Sequence, residues 1–284
     1  MALPQDFDLD DFIRRTLAED LGAGGDVTSR ATIGADAVLA ADMNCREPIV
    51  VAGMDIAAAF FRMLDPGAEL AALVRDGEGI DAGTVLMRLK GNARAMLTAE
   101  RSALNTLQHL SGIATLTRRY VDAIAGTAAI VLDTRKTLPG LRILEKYAAR
   151  MGGAHNHRMR LDDGVLIKDN HVAVCGGVAE AVRRARSAET GLQVQVEVDR
   201  IDQIEPALAA GADRLLLDNM PPAVLREAVE LVRGRVPLEA SGGVNLETIK
   251  GIAETGVDFI SVGRITQSAP AVDIGLDYSY VNVI

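Results

Sequence analysis

Six short apolar runs from residue 129 onward each end in residues suited to handling charge: Asp133-Thr134-Arg135-Lys136, Lys168-Asp169, Glu197, Asp218, Ser241-Gly242-Gly243 and Ser261-Val262-Gly263. Arginine offers a planar fork matched to carboxylate and phosphate oxygens, and lysine a compact positive charge, so the first two endings suit an anionic ligand. Between Asp133 and His171 the chain gathers Arg135, Lys136, Arg142, Lys146, Arg150, Arg158, Arg160 and Lys168, with three of the four histidines, although its formal net charge is -9. A solvated basic face accounts for any one of these residues. Their position after strands moves the set toward a binding site.

The other endings add complementary chemistry. Glycine pairs such as Gly242-Gly243 let backbone amides approach a phosphate, although most such pairs are plain turns. Glu197 and Asp218 on successive strand ends suit a hydrated Mg²⁺ bridging a pyrophosphate and a ribose, or they balance nearby lysines. His155 and His157 lack the companions of a zinc site. No Walker A segment, GxSxG elbow or strand-following GxGxxG is present.

The runs that position these residues lie at 129–134, 164–169, 192–198, 213–219, 236–242 and 257–263. Stretches with helical spacing separate them, at Val178–Ser187, 201–210, Pro222–Val232 and 246–254. Strand followed by helix, repeated, predicts parallel strands with helical crossovers, and hence an α/β barrel with its site at the C-terminal strand ends. A full barrel has eight strands, so six predict an incomplete or irregular one, with an open doubly wound sheet as the alternative. The first hundred residues read differently. An acidic helix at Leu9–Leu21, a turn at 22–25 and alternating segments at 37–53 and 83–93 predict a smaller antiparallel α/β domain, joined to the barrel by a helix over about 98–125.

Composition narrows the partners. The 284 residues are 49% hydrophobic, lack Trp and are 3% aromatic, which suits a core of helices and β-branched strands. An acidic chain poor in aromatic rings is a poor nucleic-acid binder. No apolar run approaches the ~20 residues of a membrane span, and the acidic start is unlike a secretory leader, so a cytoplasmic protein is expected. Cys45 and Cys175 lack CxxC spacing and are expected to be buried thiols.

Several blocks together resemble the quinolinate phosphoribosyltransferase family: Thr134-Arg135-Lys136-Thr137-Leu138-Pro139-Gly140, Glu145-Lys146-Tyr147-Ala148, His155-Asn156-His157-Arg158 and Ile167-Lys168-Asp169-Asn170-His171. Similarity continues through EDLGAGGDVTS, AERSALNTLQHLSGIAT, LLLDNM, EASGGV and ISVGRITQSAP, almost the whole chain. The family often has Thr where Leu138 stands. A molybdenum-transport-associated branch shares the TRKT block, but the HNHR and IKDNH segments resemble the quinolinate enzymes more.

The resemblance implies transfer of phosphoribose from phosphoribosyl pyrophosphate to quinolinate with loss of CO₂, giving nicotinate mononucleotide for NAD synthesis. It implies a type II phosphoribosyltransferase-like fold: an N-terminal α/β sandwich, taken as residues 1–112 with the tail at about 272–284 packing on it, and an incomplete α/β barrel at 113–271. A homodimer is implied in which Arg101 acts across the interface, with further assembly of dimers open. By the same resemblance Arg101, Arg135, His157, Arg158 and Lys168 grip the quinolinate carboxylates, with Thr134 in the same block. Lys136 and Lys168 lie near the pyrophosphate. Glu197 and Asp218 face the ribose and hold Mg²⁺, directly or through water. Ser241, Gly242, Gly243, Ser261, Val262 and Gly263 cradle the 5′-phosphate. The catalytic set is thus Lys136, Lys168, Glu197 and Asp218. Two other readings remain: an aldolase-type barrel with Lys168 as Schiff-base nucleophile, and a phosphate-sugar sensor without turnover.

Overall fold

The computed structural model describes residues 7–279. It falls into two compact units that interleave along the chain: the described parts of Met1–Leu116, Ile143–Gly152 and Ala269–Ile284 form one, and Thr117–Arg142 with Gly153–Ser268 the other.

In the first unit, helix α1 (Leu9–Leu21) starts at Asp8, whose carboxylate accepts the Asp11 N–H at 2.9 Å and so satisfies an otherwise orphan first-turn donor. Ile13 and Leu17, four residues apart on one face, are its buried residues. Helix α2 (Val27–Thr32) repeats the device with Asp26 accepting from Ser29 N–H. Strands β1 (Val38–Cys45) and β2 (Ile49–Val50), helix α3 (Met54–Leu64), then strands β3 (Glu69–Ala72), β4 (Gly79–Ile80) and β5 (Val85–Asn92) follow, before the 31-residue helix α4 (Ala93–Ala123). In β1 the inward residues Ala41, Met43 and Cys45 alternate with more exposed ones, as expected of a sheet covered on one face.

The second unit holds β6 (Ile130–Leu132). After it, helix α5 (Arg142–Met151) packs with the first unit from Ile143 onward. Then come β7 (Val165–Ile167), α6 (Asp169–Cys175), α7 (Val178–Ser187), β8 (Val194–Val198), α8 (Ile204–Ala209), β9 (Arg214–Asp218), α9 (Pro222–Val232), β10 (Leu238–Ser241), α10 (Ile249–Ala253), β11 (Phe259–Ser261) and α11 (Arg264–Gln267). The last strand, β12 (Ile274–Ser279), returns to the first unit and pairs antiparallel with β1, giving the sheet order β12-β1-β5-β3. Residues 280–284 of the tail lie outside the described residues.

All six expected strands form one parallel sheet in the order β6-β11-β10-β9-β8-β7. Sequence order therefore runs once around a ring, interrupted only between β6 and β7. A doubly wound sheet instead reverses its order at a switch point. At the interruption, His155 makes a parallel bridge to Leu132, with His155 N–H donating to Val131 O at 2.9 Å and Asp133 N–H to His155 O at 3.1 Å. The architecture is an incomplete α/β barrel with a separate α/β unit carrying an antiparallel sheet.

Two expectations change. The sequence reading gives residues 1–112 and the tail at about 272–284 to the sandwich and 113–271 to the barrel, which leaves 143–152 with the barrel. In the structure α5 buries Leu144, Glu145, Lys146, Tyr147, Ala148, Ala149 and Met151. Its polar groups bond within the first unit, His109 Nε2 to Glu145 at 2.8 Å and Tyr147 to Asp76. Cys45 is buried as expected, whereas Cys175, at the end of α6, is only half-buried. No helix among the described residues is long and apolar enough to cross a membrane.

Candidate active site

Successive side chains of a strand point to opposite faces, so every second residue of β6–β11 faces the barrel axis. At the C-terminal strand ends these positions open into a cleft of about 640 Å³, a volume suited to a small ligand. Leu166 and Lys168, Leu216 and Asp218, and Glu239 and Ser241 line it as i, i+2 pairs, each from a single strand and its end.

The cationic side is built by the turn after β6 and by the segment after α5. Thr134 Oγ1 accepts the Lys136 N–H at 3.0 Å, and Thr266 Oγ1 donates to Lys136 O at 2.8 Å, which fixes the backbone that presents Arg135 and Lys136. The buried Asp133 organises the facing segment. Its carboxylate accepts the His157 N–H at 2.8 Å and the Asn156 side-chain amide. His157 Nδ1 then accepts the Arg158 N–H at 2.7 Å, and Arg158 Nη1 donates to Gly164 O at 3.0 Å.

Arg135 and Arg158 stand close enough to repel. Burial and the neighbouring Arg135 charge hold the Arg158 guanidinium below the usual arginine range, with Asp163 opposing. Arg135 Nε is buried and has no hydrogen-bond partner among the described residues. Two crowded guanidiniums, one with an orphan donor, are costly unless an anion joins them.

Across the cleft, Lys168 Nζ is ion-paired with Glu197. Asp218 accepts a hydrogen bond from the Asn219 amide at 2.6 Å, and Asn219 N–H donates to Ser241 O at 2.8 Å. Gly242, at φ +96°, lies so close to Asn219 that a Cβ there would fall 2.1 Å from Asn219 Oδ1. The glycine is required by backbone conformation and by close approach together.

Beneath the mouth lies Glu239, fully buried and hydrogen-bonded by the Ser261 hydroxyl and by Gln195 Nε2 at 2.8 Å. Arg214 Nη2 is 2.7 Å away and His157 Nε2 3.5 Å. Burial alone would raise the Glu239 carboxyl, but the facing His157 N–H, the Arg214 charge and the Ser261 hydroxyl outweigh it and hold it below the usual carboxylate range. Arg214 also stacks on Phe259, 3.9 Å from the ring centroid.

The structure thus brings Thr134, Arg135, Lys136, His157, Arg158, Lys168, Glu197, Asp218, Ser241, Gly242, Gly243 and Ser261 to one cleft. Three anticipated residues do not line it. Arg101 is exposed on α4 in the first unit. Val262 is buried, and its N–H is already donated to Leu132 O at 2.9 Å, so its amide is committed to the sheet rather than to a phosphate. Gly263 sits beneath the Lys136 stem, whose Cδ would be 2.9 Å from an added Cβ.

The basic segment also divides. Lys146 and Arg150 ride on α5 in the first unit, and Arg160 pairs with Asp162. Asn219 and Glu239 were missed in the sequence. Asn219 follows an aspartate in a turn, and Glu239 sits inside a run that otherwise reads as apolar; its i, i+2 spacing to Ser241 was the available signal.

Two family descriptions match the chain: "Quinolinate phosphoribosyl transferase, N-terminal domain" over residues 26–111 and the corresponding C-terminal domain over residues 113–277. The chain belongs to the quinolinate phosphoribosyltransferase family. It is 46% identical over 275 residues to a nicotinate-nucleotide pyrophosphorylase (carboxylating) of Mycobacterium leprae, covering 94% of this chain and 96% of that protein. A probable enzyme of the same name from Bacillus subtilis is 41% identical over 93% of this chain and 91% of its own. The solved structure of the nicotinate-nucleotide pyrophosphorylase from Francisella tularensis superposes with a TM-score of 0.92 at 40% identity, covering 98% of this chain and all of that one. Membership of the quinolinate phosphoribosyltransferase family accounts for the cationic mouth, since its substrates are a pyridine dicarboxylate and a phosphorylated sugar pyrophosphate.

Proposed function

We infer that this protein transfers phosphoribose from phosphoribosyl pyrophosphate to the ring nitrogen of quinolinate and releases pyrophosphate and CO₂, forming nicotinate mononucleotide for de novo NAD biosynthesis. The observation that carries the assignment within the site is the Arg135–Arg158 pair. Two adjoining guanidiniums, one with an unsatisfied buried Nε, fit a ligand that brings carboxylates to that wall.

The reaction requires placed charge rather than a protein nucleophile. As pyrophosphate leaves, positive charge grows on the sugar and negative charge on the leaving group. Preorganised cations and carboxylates stabilise both without reorganising. In this reading Lys136 and Lys168 meet the pyrophosphate, Glu197 and Asp218 face the ribose, and Ser241 to Gly243 with Ser261 receive the 5′-phosphate. After transfer, the bond between the carboxyl group and the ring carbon beside the nitrogen breaks; the electron pair stays on that carbon, stabilised by the adjacent cationic nitrogen, and a solvent proton takes the place of the departing CO₂.

Mg²⁺ fits the donor set in a limited sense. Glu197 and Asp218 are two carboxylates on adjacent strands at the cleft, and no cluster of three or more metal-ligating side chains exists among the described residues. That suits an ion held chiefly by substrate oxygens and water, where it would neutralise pyrophosphate charge.

The direct test supplies purified protein with phosphoribosyl pyrophosphate, Mg²⁺ and either quinolinate or nicotinate, and follows nicotinate mononucleotide and CO₂. Product from quinolinate alone is expected; turnover of nicotinate without CO₂ release overturns the assignment.

The proposal extends to a homodimer in which Arg101, exposed on α4, completes the site of the second copy. Mixing inactive Arg101→Ala and Lys168→Ala proteins is then expected to restore part of the activity through hybrid sites. Absence of rescue after demonstrated subunit exchange rejects the shared site.

A further inference from the structure

The interior of this barrel departs from the branched apolar layers usual in such folds. Below the mouth, the inward positions include Gln195 on β8, Arg214 on β9 and Glu239 on β10, with the Ser261 hydroxyl reaching Glu239 from β11. Glu239 is the point where they meet. One carboxylate oxygen accepts from Ser261, while the other accepts from Gln195 and faces both Arg214 and His157.

The His157 contact has a consequence for the mouth. Because Nδ1 accepts the Arg158 N–H, that nitrogen carries no proton, and the ring's N–H is Nε2–H, the nitrogen directed at Glu239. The imidazole is therefore held between a backbone donor on one side and a carboxylate on the other. The same backbone donor belongs to Arg158, half of the arginine pair, so ring orientation and arginine placement are linked through one peptide unit.

Neutralising Arg214 would account for a carboxylate at this position. It would not account for the same carboxylate also taking the Ser261 hydroxyl and facing His157, since both of these line the cleft and Arg214 lies below it.

We propose that Glu239 is a positioning residue for the reaction: it holds the orientation of His157, whose tautomer the Arg158 N–H sets, and the rotamer of Ser261, and thereby sets the geometry of the carboxylate grip formed with Arg158. The inference rests on the reaction assigned above, but part of its test does not depend on turnover.

The first measurement is the ¹⁵N spectrum of the His157 imidazole in the wild-type protein. A protonated Nε2 with an unprotonated Nδ1 is expected, the state that directs an N–H at Glu239, and the opposite tautomer removes that contact and overturns the proposal. The second is Glu239→Gln, whose amide nitrogen would face the existing donors. A fall of roughly 10- to 100-fold in kcat/KM for quinolinate is expected, since small displacements of aligned groups have effects of that size. The His157 signals should shift in the same variant.

His157→Ala provides the discriminating background, where adding Glu239→Gln is expected to cost little more. Fully additive losses mean that Glu239 does not act through His157, and wild-type kinetics with unchanged imidazole signals refute the idea outright. Should Glu239→Gln fail to fold because Arg214 is left unpaired, Glu239→Gln with Arg214→Gln replaces it. Normal quinolinate kinetics in that pair would show that the carboxylate serves only Arg214. A wild-type protein inactive toward quinolinate would instead defeat the assigned reaction, leaving the tautomer result to stand or fall separately.

Discussion

Arg135→Ala is expected to lower kcat/KM for quinolinate by about 10²- to 10³-fold, the usual scale for removing one preorganised charge-stabilising donor, while the protein melts at the wild-type temperature or slightly above. Both halves follow from the same wall of the cleft. Arg135 contributes an unsatisfied Nε and a charge that opposes Arg158, so its removal deletes no internal hydrogen bond through that nitrogen and relieves a like-charge contact. What disappears is half of the grip on the substrate. Arg135→Lys is expected to recover little, because an ammonium cannot reproduce the fork. Steady-state kinetics with thermal melting of the three proteins test this. Near-normal turnover in Arg135→Ala removes the residue from the site, and a large drop in melting temperature shows that it is structural.

The second large effect is steric. Gly242→Ala is expected to raise KM for phosphoribosyl pyrophosphate at least 10-fold and to destabilise the protein, whereas Gly243→Ala is mild. Both glycines have positive φ, +96° and +61°, so each substitution meets the backbone cost of about 1–2 kcal/mol for a left-handed residue. They differ in space. A Cβ on Gly242 would lie 2.1 Å from Asn219 Oδ1 and 2.9 Å from Asn219 N, while one on Gly243 meets nothing within 4 Å. Asn219 itself is held at φ +53° and donates both to Asp218 and to Ser241 O, so displacing it disturbs two strand ends at once. Comparing the two variants in substrate titrations and melts separates clash from backbone strain. Equal behaviour would contradict the geometry.

The sequence determined the barrel strands and most of the mouth by itself. Strands of a parallel sheet covered on both faces appear as short apolar runs, and charge at their ends breaks those runs visibly, as at Lys168, Glu197 and Asp218. Helices α1, α7 and α9 were legible to the residue because their apolar spacing and Gly or Pro punctuation are local properties. Tertiary structure alone decided the rest. Glu239 is a single charge inside an apolar run, and its partners Gln195 and Ser261 are 44 and 22 residues distant, so no local pattern marks it. Val262 looked like part of a glycine-rich cradle until pairing with β6 committed its N–H to Leu132. The dense basic segment was separated by contacts that put Lys146 and Arg150 on a helix of the first unit and left Arg135, Lys136, Arg158 and Lys168 at the cleft. Periodicity fixes which residues share a face, but ring closure and long-range hydrogen bonding determine which of those faces meet.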